Sequence, residues 1–194
     1  MKKLRLLLTS KCHKSCAGCC NKDWELDELP VCRDYKGFSE IMITGGEPFL
    51  YWKVLPDIIN EIQDPFDYPI PLYIYTAKFE LDKIRYLYDN LRHDIYVKGF
   101  TLTLHDATDA ANFYYELRRK KSQLIDIIQD WEERWDLSDT DIFSFRINVF
   151  KGVDTRFISK SFPLFWKSFI IKKDIVWIKD CPLPTEEVFM RYNW

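Results

Sequence analysis

Glu40-Ile41-Met42-Ile43-Thr44-Gly45-Gly46-Glu47-Pro48 is the stretch on which the fold turns. Its first half is a short, continuous apolar run suited to a buried parallel strand, and Gly-Gly-Glu-Pro ends that run abruptly. Similar runs recur at Leu4–Leu8, Leu72–Thr76, Phe100–Leu104, Ile142–Val149 and Ile175–Ile178. Most of the gaps carry a helical period. Tyr51–Gln63 spaces Val54, Leu55, Ile58, Ile59 and Ile62 three or four apart before Asp64–Pro65 ends it. Leu81–Leu91 repeats the pattern, and Thr108–Trp135 is a longer helix with a break expected near Ser122. Thr155–Lys173, aromatic-rich around Pro163, shows no clear period.

Strands alternating with helices predict parallel βαβ units joined by right-handed crossovers, with both faces of the sheet covered. Six units in 194 residues take about 32 residues each, whereas a complete eight-unit barrel takes about 250. The expectation is one α/β domain over residues 1–194, a partial (β/α)6 TIM-like barrel with a parallel sheet. Its ligand should lie at the C-terminal ends of the strands.

Composition narrows the function classes. The chain is 47% hydrophobic and 30% charged, which marks a globular protein. Lys and Arg number 28 against 30 Asp and Glu, so no nucleic-acid partner is expected. No apolar run reaches the roughly 18 residues of a membrane span. The basic start Met1-Lys2-Lys3 precedes an apolar stretch that stops at Leu8, too short for a secretion signal. A cytoplasmic location is expected, with no membrane partner.

Six cysteines stand at 12, 16, 19, 20, 32 and 181, four of them within nine residues. That crowding suits a metal better than a disulfide framework. Cys12, Cys16 and Cys19 sit on a loop that should follow the first strand into the ligand mouth. Thiolates select iron–sulfur clusters or zinc. Two alternatives stand: a zinc knuckle using Cys20 or His13 as fourth ligand, or a three-cysteine cluster with one open iron. Cys20, Cys32 and Cys181 are too few and too scattered for a second cluster and read as ordinary buried thiols.

Cys12-x3-Cys16-x2-Cys19 after the first strand, with Gly45-Gly46-Glu47-Pro48 after the second, resembles the radical S-adenosylmethionine (SAM) superfamily. The resemblance implies a [4Fe–4S] cluster on the three cysteines and SAM on its open iron. Gly45, Gly46 and Glu47 would receive the SAM ammonium. One-electron cleavage would give methionine and a 5′-deoxyadenosyl radical that takes hydrogen from a substrate. A low-potential electron donor of flavodoxin or ferredoxin type follows as a partner. Thr76, Thr103 and Arg146 fall where members often contact SAM, with Asn148 on the strand face of Arg146. For Arg146 the competing account is a structural ion pair. The residue before the third cysteine is commonly aromatic in the family, whereas here it is Gly18.

Cys19-x-Asn21 and Trp24, with His13 and Gly18, resemble the activating enzymes of glycyl-radical proteins, which implies a protein substrate. A reaction on a small molecule, nucleotide or peptide is the alternative within the family. The Asp-Thr pair of the deazaguanine-forming members is missing at Cys20-Asn21. Outside catalysis, the alternatives are a metal-binding interaction module, an electron carrier, or a member that binds SAM without turnover. His105 and Asp106, at the end of the fourth strand, are candidates for substrate contact or proton handling, and a helix N-cap accounts for Asp106 equally well. Trp24, Tyr51 and Trp52 are candidates for lining the mouth.

Overall fold

The computed structural model describes residues 2–16, 18–64, 70–135, 144–178 and 182–194. Seven strands form one parallel sheet: β1 (Lys2–Thr9), β2 (Phe38–Gly45), β3 (Leu72–Thr76), β4 (Gly99–Leu104), β5 (Ser144–Phe150), β6 (Ile170–Ile175) and β7 (Glu187–Arg191). The connecting helices are α1 (Leu55–Gln63), α2 (Leu81–Asn90), α3 (Ala107–Trp135), α4 (Arg156–Ser161) and α5 (Pro163–Ser168).

The strand order is β6-β5-β4-β3-β2-β1-β7. From β1 to β6 each new strand is added on the same side of the last. With right-handed crossovers, that winding places the intervening helices on one face. Burial agrees. Leu4, Ile41, Ile43, Leu72, Ile74, Phe100, Leu102, Phe145 and Ile147 share one core with Leu55 and Ile59 of α1, Leu81 and Ile84 of α2, and Phe113 and Leu117 of α3. The residues between them in each strand turn the other way. They are Arg5, Met42, Tyr73, Tyr75, Thr101, Thr103, Arg146 and Asn148. Cover on both faces was expected; among the described residues the α-helices pack on one face, and the second face is polar over its centre. Near β7 it is covered by Trp24, Leu26, Leu29 and Leu183, packed on Leu7 and Phe189.

Five of the six expected strands lie where they were read, although residues 142–143 of the fifth fall outside the described residues. The sixth lies at 170–175 rather than 175–178, inside the stretch that showed no period, and β7 was not anticipated. α3 leaves helical geometry at Lys120 (φ −134°, ψ 27°), two residues before the expected break. No helix among the described residues is long and apolar enough to cross a membrane.

Candidate functional site

β1 ends at Thr9, whose Oγ1 accepts the Lys11 N–H at 3.1 Å and bends the chain away from the sheet. The cysteine loop starts there, and it rests on the end of β2. Gly46 N–H donates to the Thr9 carbonyl at 2.6 Å and Glu47 N–H to the Lys11 carbonyl at 2.9 Å. The glycine pair is what permits the approach. A Cβ on Gly46 would fall 1.8 Å from the Lys11 carbonyl oxygen, and one on Gly45 (φ +123°) 2.4 Å from that of Thr9. What lies against the two glycines is therefore the backbone that carries the cysteines.

Cys12 is exposed, Cys16 and Cys19 are half-buried, and all three are free thiols. Lys14 N–H reaches Cys12 Sγ at 3.4 Å, Lys22 N–H donates to the Cys19 carbonyl, and Lys22 Nζ donates to that of Cys16. Burial raises the Cys16 pKa. The Lys14 ammonium opposes that rise, while Cys19 and Cys12 add to it. Among the described residues no three His, Cys, Asp or Glu side chains are gathered as a single-ion cage. Cluster cysteines bind different irons and need no common point. Cys32 is buried apart from the loop, its thiol against the Asp34 carbonyl, with its pKa raised by burial. The Cys20 side chain and Cys181 lie outside the described residues.

Glu47 is 1% exposed. Its carboxylate accepts from Phe49 N–H (3.1 Å) and Ala77 N–H (2.9 Å) and lies 2.8 Å from Thr76 Oγ1. Burial outweighs these donors and raises its pKa. Thr76 also accepts the Lys78 N–H at 3.0 Å. The pair joins the β2 and β3 ends beneath the mouth, on the helix side.

Thr103 and Asn148 are register neighbours on the polar face, and Thr101 and Arg146 are neighbours two residues further from the mouth. The Arg146 guanidinium lies 3.7 Å from the centre of the Tyr73 ring. No carboxylate pairs with it among the described residues. A face-stacked guanidinium keeps its in-plane N–H groups for an acceptor.

Asp106 is the N-cap of α3, accepting Asp109 N–H at 2.9 Å. His105 stacks on Trp177 at 5.4 Å and 12°, with Phe150 at 5.1 Å. Trp177 in turn covers Gly18: a Cβ there would fall 2.4 Å from its indole Cγ. Asp109 and Lys14 are additions to the expected site. Asp109 is buried and accepts from His105 N–H (2.9 Å) and from Lys14 Nζ, and its Oδ2 lies 3.2 Å from His105 Nδ1. Burial pushes the Asp109 pKa up, but the His105 and Lys14 donors win and hold it low. Asp106-Ala107-Thr108-Asp109 has the spacing of a capping box, the one sequence signal that could have marked Asp109.

A cavity of about 290 Å³ opens here, lined by His13, Lys14, Lys78, Phe79, Asp106 and Asn112. Burial, then Lys78 and Lys14, lower the His13 pKa and favour its neutral form. The other aromatic candidates each lie against a neighbouring ring. Trp24 packs edge-on against Phe189, Tyr51 packs on Trp194, and Trp52 packs on Tyr86. No protein-family model matches the chain, and no curated protein matches it in sequence.

Proposed function

We propose that the chain is a radical SAM enzyme, its singly wound sheet serving as a partial TIM-like barrel and its location cytoplasmic. One observation carries this: two motifs distant in sequence meet, Gly45–Gly46 lying against the Thr9–Lys11 backbone that leads into the cysteines at the C-terminal end of the sheet. The donor set fits a [4Fe–4S] cluster, since Cys12, Cys16 and Cys19 are free thiols on one loop. When bound, the cluster and SAM supply a carbon-centred radical for hydrogen abstraction. The chain's own work is to seat and orient. The strand ends at Gly45 and Gly46 fix the loop, and Glu47 acts through Thr76 and Ala77 to brace them. Arg146, stacked on Tyr73 and without a carboxylate partner among the described residues, offers donors to a carboxylate together with Thr103 and Asn148 nearer the mouth. His105 is held by Asp109 and Trp177 at the mouth.

The reaction is an oxidoreductive hydrogen abstraction fed by a flavodoxin- or ferredoxin-type donor. An activase-like reaction on a protein glycine and a reaction on a small molecule, nucleotide or peptide share this site. The test is anaerobic reconstitution with iron and sulfide. About four irons per chain, a reduced-cluster resonance and 5′-deoxyadenosine on adding SAM and reductant are expected. Cys12→Ala, Cys16→Ala and Cys19→Ala should each abolish these, and Cys32→Ala should not. About one zinc and no iron would overturn the proposal. Incubation of the reduced enzyme and SAM with a glycyl-radical candidate separates the substrates: a persistent glycine doublet marks the activase.

A further inference from the structure

Among the described residues the cysteine loop belongs to no strand or α-helix, yet its middle is held from outside. Lys14, in the spacer between Cys12 and Cys16, sends its ammonium to Asp109 and to Asp106 Oδ2 at 3.3 Å. Its side chain is 16% exposed and that of Asp109 8%, so the pair is shielded from water and carries more than a surface ion pair does. Asp109 is fixed in turn. Its Oδ2 accepts the His105 N–H, its own N–H is capped by Asp106, and it stands in the first turn of α3. Trp177 holds the far part of the loop, its indole against the Gly18 backbone and stacked on His105.

The geometry points to Asp109 as the positioning residue of the cysteine loop: through Lys14 it fastens the Cys12–Cys16 spacer to the β4–α3 turn. This rests on the proposal that the thiols hold a cluster. Helix capping alone does not account for the arrangement, because capping needs no cation from a loop 95 residues away. An anchored spacer presents the thiols already ordered, so less conformational entropy is lost when they bind.

The test uses the full chain, metal-free, with amide hydrogen exchange read by mass spectrometry on peptides covering residues 12–22. Lys14→Met and Asp109→Asn are each expected to speed exchange there about tenfold or more, the factor that loss of a charge-assisted hydrogen bond brings. The α1 peptide should stay at the wild-type rate. The double variant should exchange no faster than Lys14→Met alone, since the two side chains act through one contact. After reconstitution, both single variants should retain less iron than wild type and show an altered cluster resonance. Wild-type exchange over residues 12–22 in Asp109→Asn, or single effects that multiply in the double variant, would overturn the assignment. Should Asp109→Asn fail to fold, Lys14→Met still decides, since its side chain lies in no regular element. A wild-type protein that takes up no iron would defeat the cluster proposal while leaving the exchange result to judge the anchor.

Discussion

A methyl group on Gly46 has nowhere to go, because the oxygen it would strike is the Lys11 carbonyl, itself held by Glu47 N–H. Gly46→Ala should therefore cost about 1–3 kcal/mol, read as a lower denaturation midpoint at unchanged slope. Glu47 makes a second, opposite kind of statement. Its folded pKa is raised, so the folded state holds that proton more tightly than the unfolded chain does. Its contribution to stability is complete below the ordinary carboxylate range and is lost as pH rises through the folded value. Asp109, held low, runs the other way and loses its contribution as pH falls. Subtracting the stability–pH curve of Glu47→Gln from that of wild type should leave a difference that falls with rising pH. A flat or rising difference would show that the three donors outweigh burial. The cysteines and glycines were legible because spacing alone exposes them. Asp109 was not, because its part depends on Lys14, which no local pattern connects to it.

At the scale of elements, β7 shows what periodicity misses. Glu187-Val188-Phe189-Met190-Arg191 mixes charge with apolar residues because it is an edge strand beside β1. β6, Ile170-Ile171-Lys172-Lys173-Asp174-Ile175, is likewise an edge and carries the lysines that discourage further pairing. Central strands announce themselves as apolar runs, whereas edges do not. The β1–β7 pairing is locked by Arg5, whose guanidinium donates to Glu187 at 2.5 and 2.9 Å, with the Glu187 side chain 12% exposed. Glu187→Ala leaves that half-buried guanidinium without its acceptor. A loss of about 1–3 kcal/mol in chemical denaturation is expected, eased by the solvent Arg5 still sees. Double-mutant coupling with Arg5→Met would assign the loss to the pair, and no coupling would assign it elsewhere.

For the whole molecule, one apolar core takes in buried residues of five strands, β1 to β5, and of all five described α-helices. Urea unfolding should be a single transition, coincident by tryptophan fluorescence and far-ultraviolet circular dichroism. Two separated transitions would mean that the β1–β2 half and the β4–β5 half melt independently. The polar face makes its own prediction. Arg146→Ala should weaken SAM binding by roughly 10–150-fold in equilibrium dialysis of reconstituted protein, without loss of iron. Unchanged affinity would confine Arg146 to its stack on Tyr73. The placement of β7 beside β1 also bears on biosynthesis. Arg5 and Glu187 are 182 residues apart, which at ribosomal speeds of about 5–20 residues per second is a wait of roughly ten to forty seconds. Throughout it β1 waits for its β7 partner with that edge unpaired, so the growing chain is exposed to wrong pairing at the strand that leads into the cysteine loop, and a chaperone that shields this edge would raise the yield of folded protein.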